Sequence, residues 1–247
     1  MSGLQNRRVI VTGGSRGLGR GIVEALVAEK ARVVAVARDA DRLRTVSREI
    51  GAEAVALDVT DDDGAGRLLR QVRPDLLVLC AGAMPPLAAL QDQTWETFSR
   101  NWEVDAKSTF FWLRHVLRLP LPAGAHVVVV SSGAALRGSP VSGGYASAKR
   151  AQWFMTDYAS QESQRLELGL RFHCLLPALN PSTELGRAGI DAYAARAGVT
   201  AEEFAKRFSP VLTPAIMGKA VVDLATDPER FDQLAYAIGG AGLAPIA

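Results

Sequence analysis

Val9-Ile10-Val11-Thr12-Gly13-Gly14-Ser15-Arg16-Gly17-Leu18-Gly19 carries the chain from a short apolar run through a glycine-rich turn into an amphipathic stretch. The first part reads as a strand and the last as the start of a helix, so the glycines lie at a strand-to-helix junction. Glycines there let the backbone turn tightly and approach a phosphate, whose charge meets the free amides at the helix N-terminus. The spacing is Gly-x3-Gly-x-Gly rather than GxGxxG, so taken alone the turn leaves a purely structural role open.

Outward from this turn, short Val-, Leu- and Ala-rich runs alternate with longer amphipathic segments, the rhythm of βαβ units around a parallel sheet. Strands are expected at Arg8–Thr12, Ala31–Ala37, Ala54–Asp58, Leu76–Cys80, His126–Ser131, Leu170–Leu176 and Leu234–Ile238. Helices are expected at Arg16–Lys30, Asp41–Ile50, Asp62–Gln71, Thr94–Leu119, Tyr145–Leu168 and Pro214–Thr226. No linker or repeat divides the 247 residues, which predicts a single α/β domain, residues 1–247. One long stretch, Ala178–Thr213, interrupts the last βαβ step, and an insertion of that length reads as a lid or binding element.

Composition narrows the function classes. Twenty-eight basic against 26 acidic residues leave a charge of +2 with no long Lys/Arg tract, which argues against nucleic acid as a partner. The longest apolar runs are six or seven residues and Met1 to Arg8 offers no signal-peptide core, so a soluble protein is expected, with no membrane partner. Cys80 and Cys174 lie in separate apolar runs outside any metal-ligand spacing, and His115, His126 and His173 are far apart, so no metal is expected. The unpaired cysteines suit the reducing cytoplasm. Asp61-Asp62-Asp63-Gly64 lacks calcium ligands at the first and twelfth positions of an EF-hand loop, and reads as a helix cap.

Two other motifs overlap the glycine turn. Gly13-Gly14-Ser15-Arg16-Gly17 fits GxSxG, the nucleophile elbow of serine hydrolases, but few residues precede it to supply an oxyanion loop. Arg20-Gly21 stands where a phosphate-binding P-loop needs Lys-Ser or Lys-Thr.

Ser132 follows a strand, and thirteen residues on comes Tyr145-Ala146-Ser147-Ala148-Lys149. On a helix, Tyr145 and Lys149 share a face one turn apart, with Cβ atoms about 5–6 Å from each other. Moving a tyrosine from its usual pKa of about 10 to ionise at pH 7 requires roughly 4 kcal/mol. A cation about 5 Å away contributes about 3 kcal/mol at an effective dielectric near 20. The pairing therefore suits Tyr145 to donate and accept a proton, although YxxxK also arises in ordinary helices.

With these features in order, the chain resembles the short-chain dehydrogenase/reductase family over nearly its whole length. Thr12, Gly13, Gly17 and Gly19 match TGxxxGxG; Asp58-Val59 matches the adenine-contacting position; Ala81-Gly82 matches the end of NNAG; Ser132, Tyr145 and Lys149 stand at the family's catalytic spacing. The resemblance implies a Rossmann-like doubly wound parallel sheet of about seven strands, order 3-2-1-4-5-6-7, with helices on both faces. It implies hydride transfer between a nicotinamide and a small-molecule ketone or secondary alcohol. Tyr145 is then the proton donor and acceptor, Ser132 orients the carbonyl, and Lys149 holds the nicotinamide ribose. The cofactor would lie along Thr12, Gly13, Ser15, Arg16, Gly17, Leu18 and Gly19, then Arg38, Asp58, Val59, Ala81, Gly82 and Pro177, besides Tyr145 and Lys149. A homodimer or homotetramer is implied as well.

Several positions depart from the family pattern. Leu79-Cys80 replaces two asparagines, Ala178 replaces a glycine after Pro177, and Ile238 replaces an aspartate. Asp105 stands where the family has an asparagine in the proton relay, and its carboxylate would offset part of the effect of Lys149 on Tyr145. Arg38, just after the second strand, together with Arg16 in the turn, favours NADP(H), through two charge-assisted contacts of about 1.5–3 kcal/mol each with a 2′-phosphate. Asp39 keeps NAD(H) in view, since an acid there would hold the ribose hydroxyls, but past the strand end it reads as a helix cap. The alternatives are a non-catalytic NADP-binding sensor or scaffold of the same fold and, further off, the serine hydrolase.

Overall fold

The computed structural model describes residues 3–246. Eight strands form one sheet in the order β3-β2-β1-β4-β5-β6-β7-β8. Strands β1 (Arg8–Thr12), β2 (Arg32–Ala37), β3 (Glu53–Ala56), β4 (Leu76–Leu79), β5 (His126–Val130), β6 (Arg171–Pro177) and β7 (Ala235–Gly239) are parallel. Each lies within a residue or two of its expected place. The eighth, β8 (Gly242–Pro245), pairs antiparallel with β7 across a two-residue turn and was not expected: Gly-Leu-Ala-Pro has neither alternation nor an apolar run. Pro245, which has no amide to donate, is tolerated on this edge strand.

Helices α1 (Gly17–Ala28), α2 (Ala40–Ile50) and α3 (Asp62–Val72) fill the first crossovers. Asp39 and Asp61 cap α2 and α3, accepting from Arg42 N and Gly64 N at 3.0 Å each. The long helix expected over Thr94–Leu119 is instead broken into α4 (Trp95–Asn101), a π-helical turn (Trp102–Ala106) and α5 (Lys107–Val116). A π turn inserts an extra residue into the ladder, whereas the aromatic residues from Trp95 to Trp112 read as one continuous face. The short α6 (Ala134–Arg137) precedes the long α7 (Gly143–Arg165). The Ala178–Thr213 stretch holds α8 (Glu184–Ala197), α9 (Ala201–Ala205) and a 3₁₀ turn (Lys206–Phe208) before α10 (Pro214–Thr226).

Alternate residues of each strand feed opposite faces of the sheet. Val9 and Val11 join Ile22, Leu26, Met217 and Val221 on the α1/α10 side. Ile10, between them, joins Leu69, Trp112 and Val127 on the α3/α5 side. With both faces covered, the strands read as continuous apolar runs. Ile190, Ala194 and Phe204 form a separate small cluster inside the 178–213 stretch.

Candidate active site

The carboxyl ends of β1, β4, β5 and β6 border a cleft of about 1070 Å³, at the crevice where strand order reverses between β1 and β4. Open α/β sheets bind ligands at this crevice. Its size exceeds the usual range for one small molecule, leaving room for a dinucleotide and a second reactant.

The glycine turn is built for close approach. Gly13 adopts φ +74°, and a Cβ there would lie 2.9 Å from Ala81 Cα; on Gly19 it would lie 2.2 Å from Gly13 O. The turn therefore sits flat against the segment after β4, and Gly17, Leu18 and Gly19 border the cleft at the start of α1. No side chain caps α1, in contrast to α2, α3 and α10. Uncapped amides beside a glycine-lined wall fit the pyrophosphate of a dinucleotide.

Ser15, Arg16, Arg38, Val59, Ala81, Gly82 and Pro177 also line the cleft, but Thr12 and Asp58 do not. Thr12, 2% exposed, places its hydroxyl between strands: Oγ1 accepts from Cys80 N (3.0 Å) and Ala81 N (3.2 Å) and reaches Val78 O at 3.4 Å. It is a strut between the ends of β1 and β4. Asp58 is exposed, and its Oδ1 accepts from Thr60 N (2.9 Å) and Thr60 Oγ1 (2.7 Å), which hold its carboxyl below the usual range. Arg16 is paired with Glu184 at the start of α8, 2.7 Å away, which turns it toward the 178–213 stretch.

Tyr145, Ser132, Lys149 and Asp105 converge on the cleft. Tyr145 lies beside Ser132, whose hydroxyl lowers the phenol's pKa and whose Oγ accepts from Ala134 N at 3.2 Å. Lys149 Nζ lies 5.6 Å from the Tyr145 ring centroid and 3.3 Å from Val130 O. Lys149 and Asp105 are buried, with Nζ 3.4 Å from Asp105 Oδ2. The balance at Tyr145 differs from the sequence expectation: burial raises its pKa above the ordinary phenol value, outweighing the lowering by Lys149 and Ser132, and Asp105 adds to the rise. The lysine is not a lone cation. Cys80, on the floor beside them, is pushed up to about 11 by burial and stays a neutral thiol.

The Asp105 carboxylate accepts from Ala83 N (Oδ1, 2.8 Å) and Asn101 Nδ2 (Oδ2, 3.3 Å); its main-chain carbonyl accepts from Gln152 Nε2 (3.1 Å) and Ser108 Oγ (3.2 Å). Asn101 and Gln152 were missed from sequence. The available signal was a polar residue one turn before Asp105 and another one turn after Lys149, each on an inward face. Toward the 178–213 stretch, Tyr193 on α8 donates to Ser139 (2.5 Å), itself 2.6 Å from Ser142, and Tyr193 stacks on Phe204 at 5.6 Å.

No histidine borders the cleft among the described residues, which leaves Ser15 without the base that a serine hydrolase needs. His115 instead lies 2.9 Å from Asp62 Oδ1, while His126 and His173 adjoin each other, ring centroids 6.0 Å apart.

The chain matches the model for the short chain dehydrogenase family over residues 7–205. It is 35% identical over 191 residues to L-xylulose reductase of Homo sapiens, covering 75% of this chain and 76% of that protein. It is 34% identical over 165 residues to an NADPH carbonyl reductase, carbonyl reductase 2 of Sus scrofa, covering 66% of each. A solved short chain dehydrogenase from Mycobacterium avium superposes with TM-score 0.78 at 25% identity, covering 100% of this chain and 86% of that one. An NAD+-bound xylitol dehydrogenase shares the fold, with TM-score 0.85 at 19% identity over 96% of this chain and 99% of that one. The family model, the sheet order and the relatives agree: the chain belongs to the short chain dehydrogenase family.

Proposed function

We propose that the protein is an NADP(H)-dependent reductase/dehydrogenase that interconverts a small ketone and a secondary alcohol. The observation that carries this reading is the meeting of Tyr145, Ser132 and Lys149 at the sheet's switch-point cleft, beside a turn shaped for a dinucleotide. A bound nicotinamide supplies or accepts the hydride. The chain's own residues move the proton. Tyr145 gives its hydroxyl proton to the carbonyl oxygen during reduction and takes one from the alcohol in reverse, while Ser132 donates to that oxygen and orients it. Lys149 holds the ribose of the cofactor and keeps a positive charge near the phenol.

The preference for NADP(H) rests on Arg38, exposed at the cleft margin after β2, and on Asp39, whose carboxylate is engaged in capping α2. An engaged acid is a poor partner for ribose hydroxyls, and an exposed guanidinium suits a 2′-phosphate. Residues 1–247 are read as a single catalytic domain, with residues 178–213 as its lid, a reading supported by the single sheet of the described residues. A cytoplasmic location and a homodimer or homotetramer complete the reading; among the described residues no helix is long and apolar enough to cross a membrane.

The test is NADPH oxidation against a panel of ketones, including ketoses. Turnover that disappears in Tyr145→Phe supports the reading. Cofactor binding with no turnover on any carbonyl would make the protein a sensor instead.

A further inference from the structure

We propose that Asp105 is a positioning residue that clamps the Lys149 ammonium and so keeps Tyr145 in its proton-bearing form, fitting the site at neutral pH to carbonyl reduction more than to alcohol oxidation. The inference rests on Tyr145 being the group that exchanges the proton.

The clamp is complete on every side. Asp105 is 0% exposed and sits in the π-helical turn, which carries its side chain to the floor of the cleft. One carboxylate oxygen is fixed by Ala83 N; the other faces Lys149 Nζ and Asn101 Nδ2. Behind it, Gln152 Nε2 grips the Asp105 carbonyl and reaches Thr109 Oγ1 at 2.6 Å, so α5 and α7 both hold the turn in place. A carboxylate 3.4 Å from an ammonium, both shielded from water, converts a cation into a dipole whose field falls off steeply. Part of the pull that would make Tyr145 acidic is thereby offset.

The other groups facing the pair do not restore that charge. Cys80 after β4 and Cys174 on β6 are thiols that burial keeps protonated, and Ser132 after β5 is neutral. Arg150, the next residue on α7, is directed to Ala135 O at 3.5 Å. The same carboxylate keeps the buried Lys149 charged, since burial lowers and Asp105 raises its pKa. Asp105 therefore preserves the lysine as a hydrogen-bond donor while offsetting part of its pull on the phenol.

Asp105→Asn tests this without disturbing shape. The amide oxygen still accepts from Ala83, Asn101 keeps its bond to Ala83 O (3.0 Å), and Lys149 keeps Val130 O (3.3 Å) as an acceptor. Tyrosinate absorbance is titrated on the full-length protein without cofactor, subtracting a Tyr145→Phe version of each variant, because the chain has four tyrosines. The Tyr145 midpoint should fall measurably in Asp105→Asn, since Lys149 loses its carboxylate but still faces the forming phenolate, which favours its charged form. The acid limb of alcohol oxidation should move down by the same amount, with the KM for cofactor nearly unchanged. A midpoint that does not move overturns the proposal. If Asp105→Asn fails to fold, Asp105→Ser, which keeps an acceptor for Ala83, is read against the same criterion. The titration needs no turnover, so an absence of activity on all carbonyls would count against the enzyme reading and leave this result to be judged by itself.

Discussion

Removing the Thr12 hydroxyl separates a strut from a cofactor ligand. Thr12→Val keeps the shape and deletes one oxygen that serves Cys80 N, Ala81 N and Val78 O. Two amides at the floor of the crevice lose their acceptor, at about 1–3 kcal/mol for each that stays dry. With partial hydration from the cleft, a loss of about 2–4 kcal/mol is expected, lowering Tm by on the order of 10 °C for a chain of this size. Thermal and urea unfolding followed by circular dichroism would show the shift, with a lower midpoint and an unchanged m-value. Thr12→Ser, which restores the oxygen, should recover most of the stability. A Thr12→Val variant melting within about 1 °C of wild type, or a serine variant as unstable as the valine one, would refute the strut.

Three further outcomes are expected. Arg38→Ala should lower kcat/KM for NADPH about 10–100-fold and leave NADH nearly unaffected, the loss of one charge-assisted contact; an unchanged NADPH/NADH ratio would sink the assignment. Glu184→Gln breaks an ion pair whose side chains are 50% and 65% exposed, so stability should change by less than about 1 kcal/mol, a small Tm shift by calorimetry; a large loss would show the lid held by this pair alone. Burial, with His173 and Arg171 nearby, pushes His126 down to about 4. The unfolded chain, with its histidine near 6.5, then binds more protons, so stability is full above that value and falls as pH drops from 6.5 toward 4. The loss should approach about 3 kcal/mol. Urea midpoints across that window should decline in wild type and decline less in His126→Gln.

Much of the architecture was legible because strands covered on both faces must be largely apolar: β4 is so throughout, β1 between Arg8 and Thr12, and β5 after His126. β8 escaped because an edge strand of Gly-Leu-Ala-Pro buries little and carries no period. The π turn escaped because the aromatic residues from Trp95 to Trp112 read as one continuous buried face, whereas Trp95 is 77% exposed and Trp112 fully buried. In the site, Tyr145 and Lys149 were readable as helical neighbours and Ser132 by its place after a strand. The roles of Thr12 and Asp58 were not, since a short polar side chain at a strand end serves backbone or ligand equally well. The charge balance at Tyr145 was only half visible: sequence shows Asp105, but the folding of α4 and α7 around it decides which atoms it meets.

The small cluster of Ile190, Ala194 and Phe204 gives the segment over the cleft an interior of its own, apart from the two that sandwich the sheet. Selection can thus remodel what is admitted at the mouth while the redox machinery beneath is inherited intact. Grafting residues 179–208 from a relative, short of Leu212 in the sheet's own core, should transplant appetite for a new small molecule without eroding the scaffold that carries it.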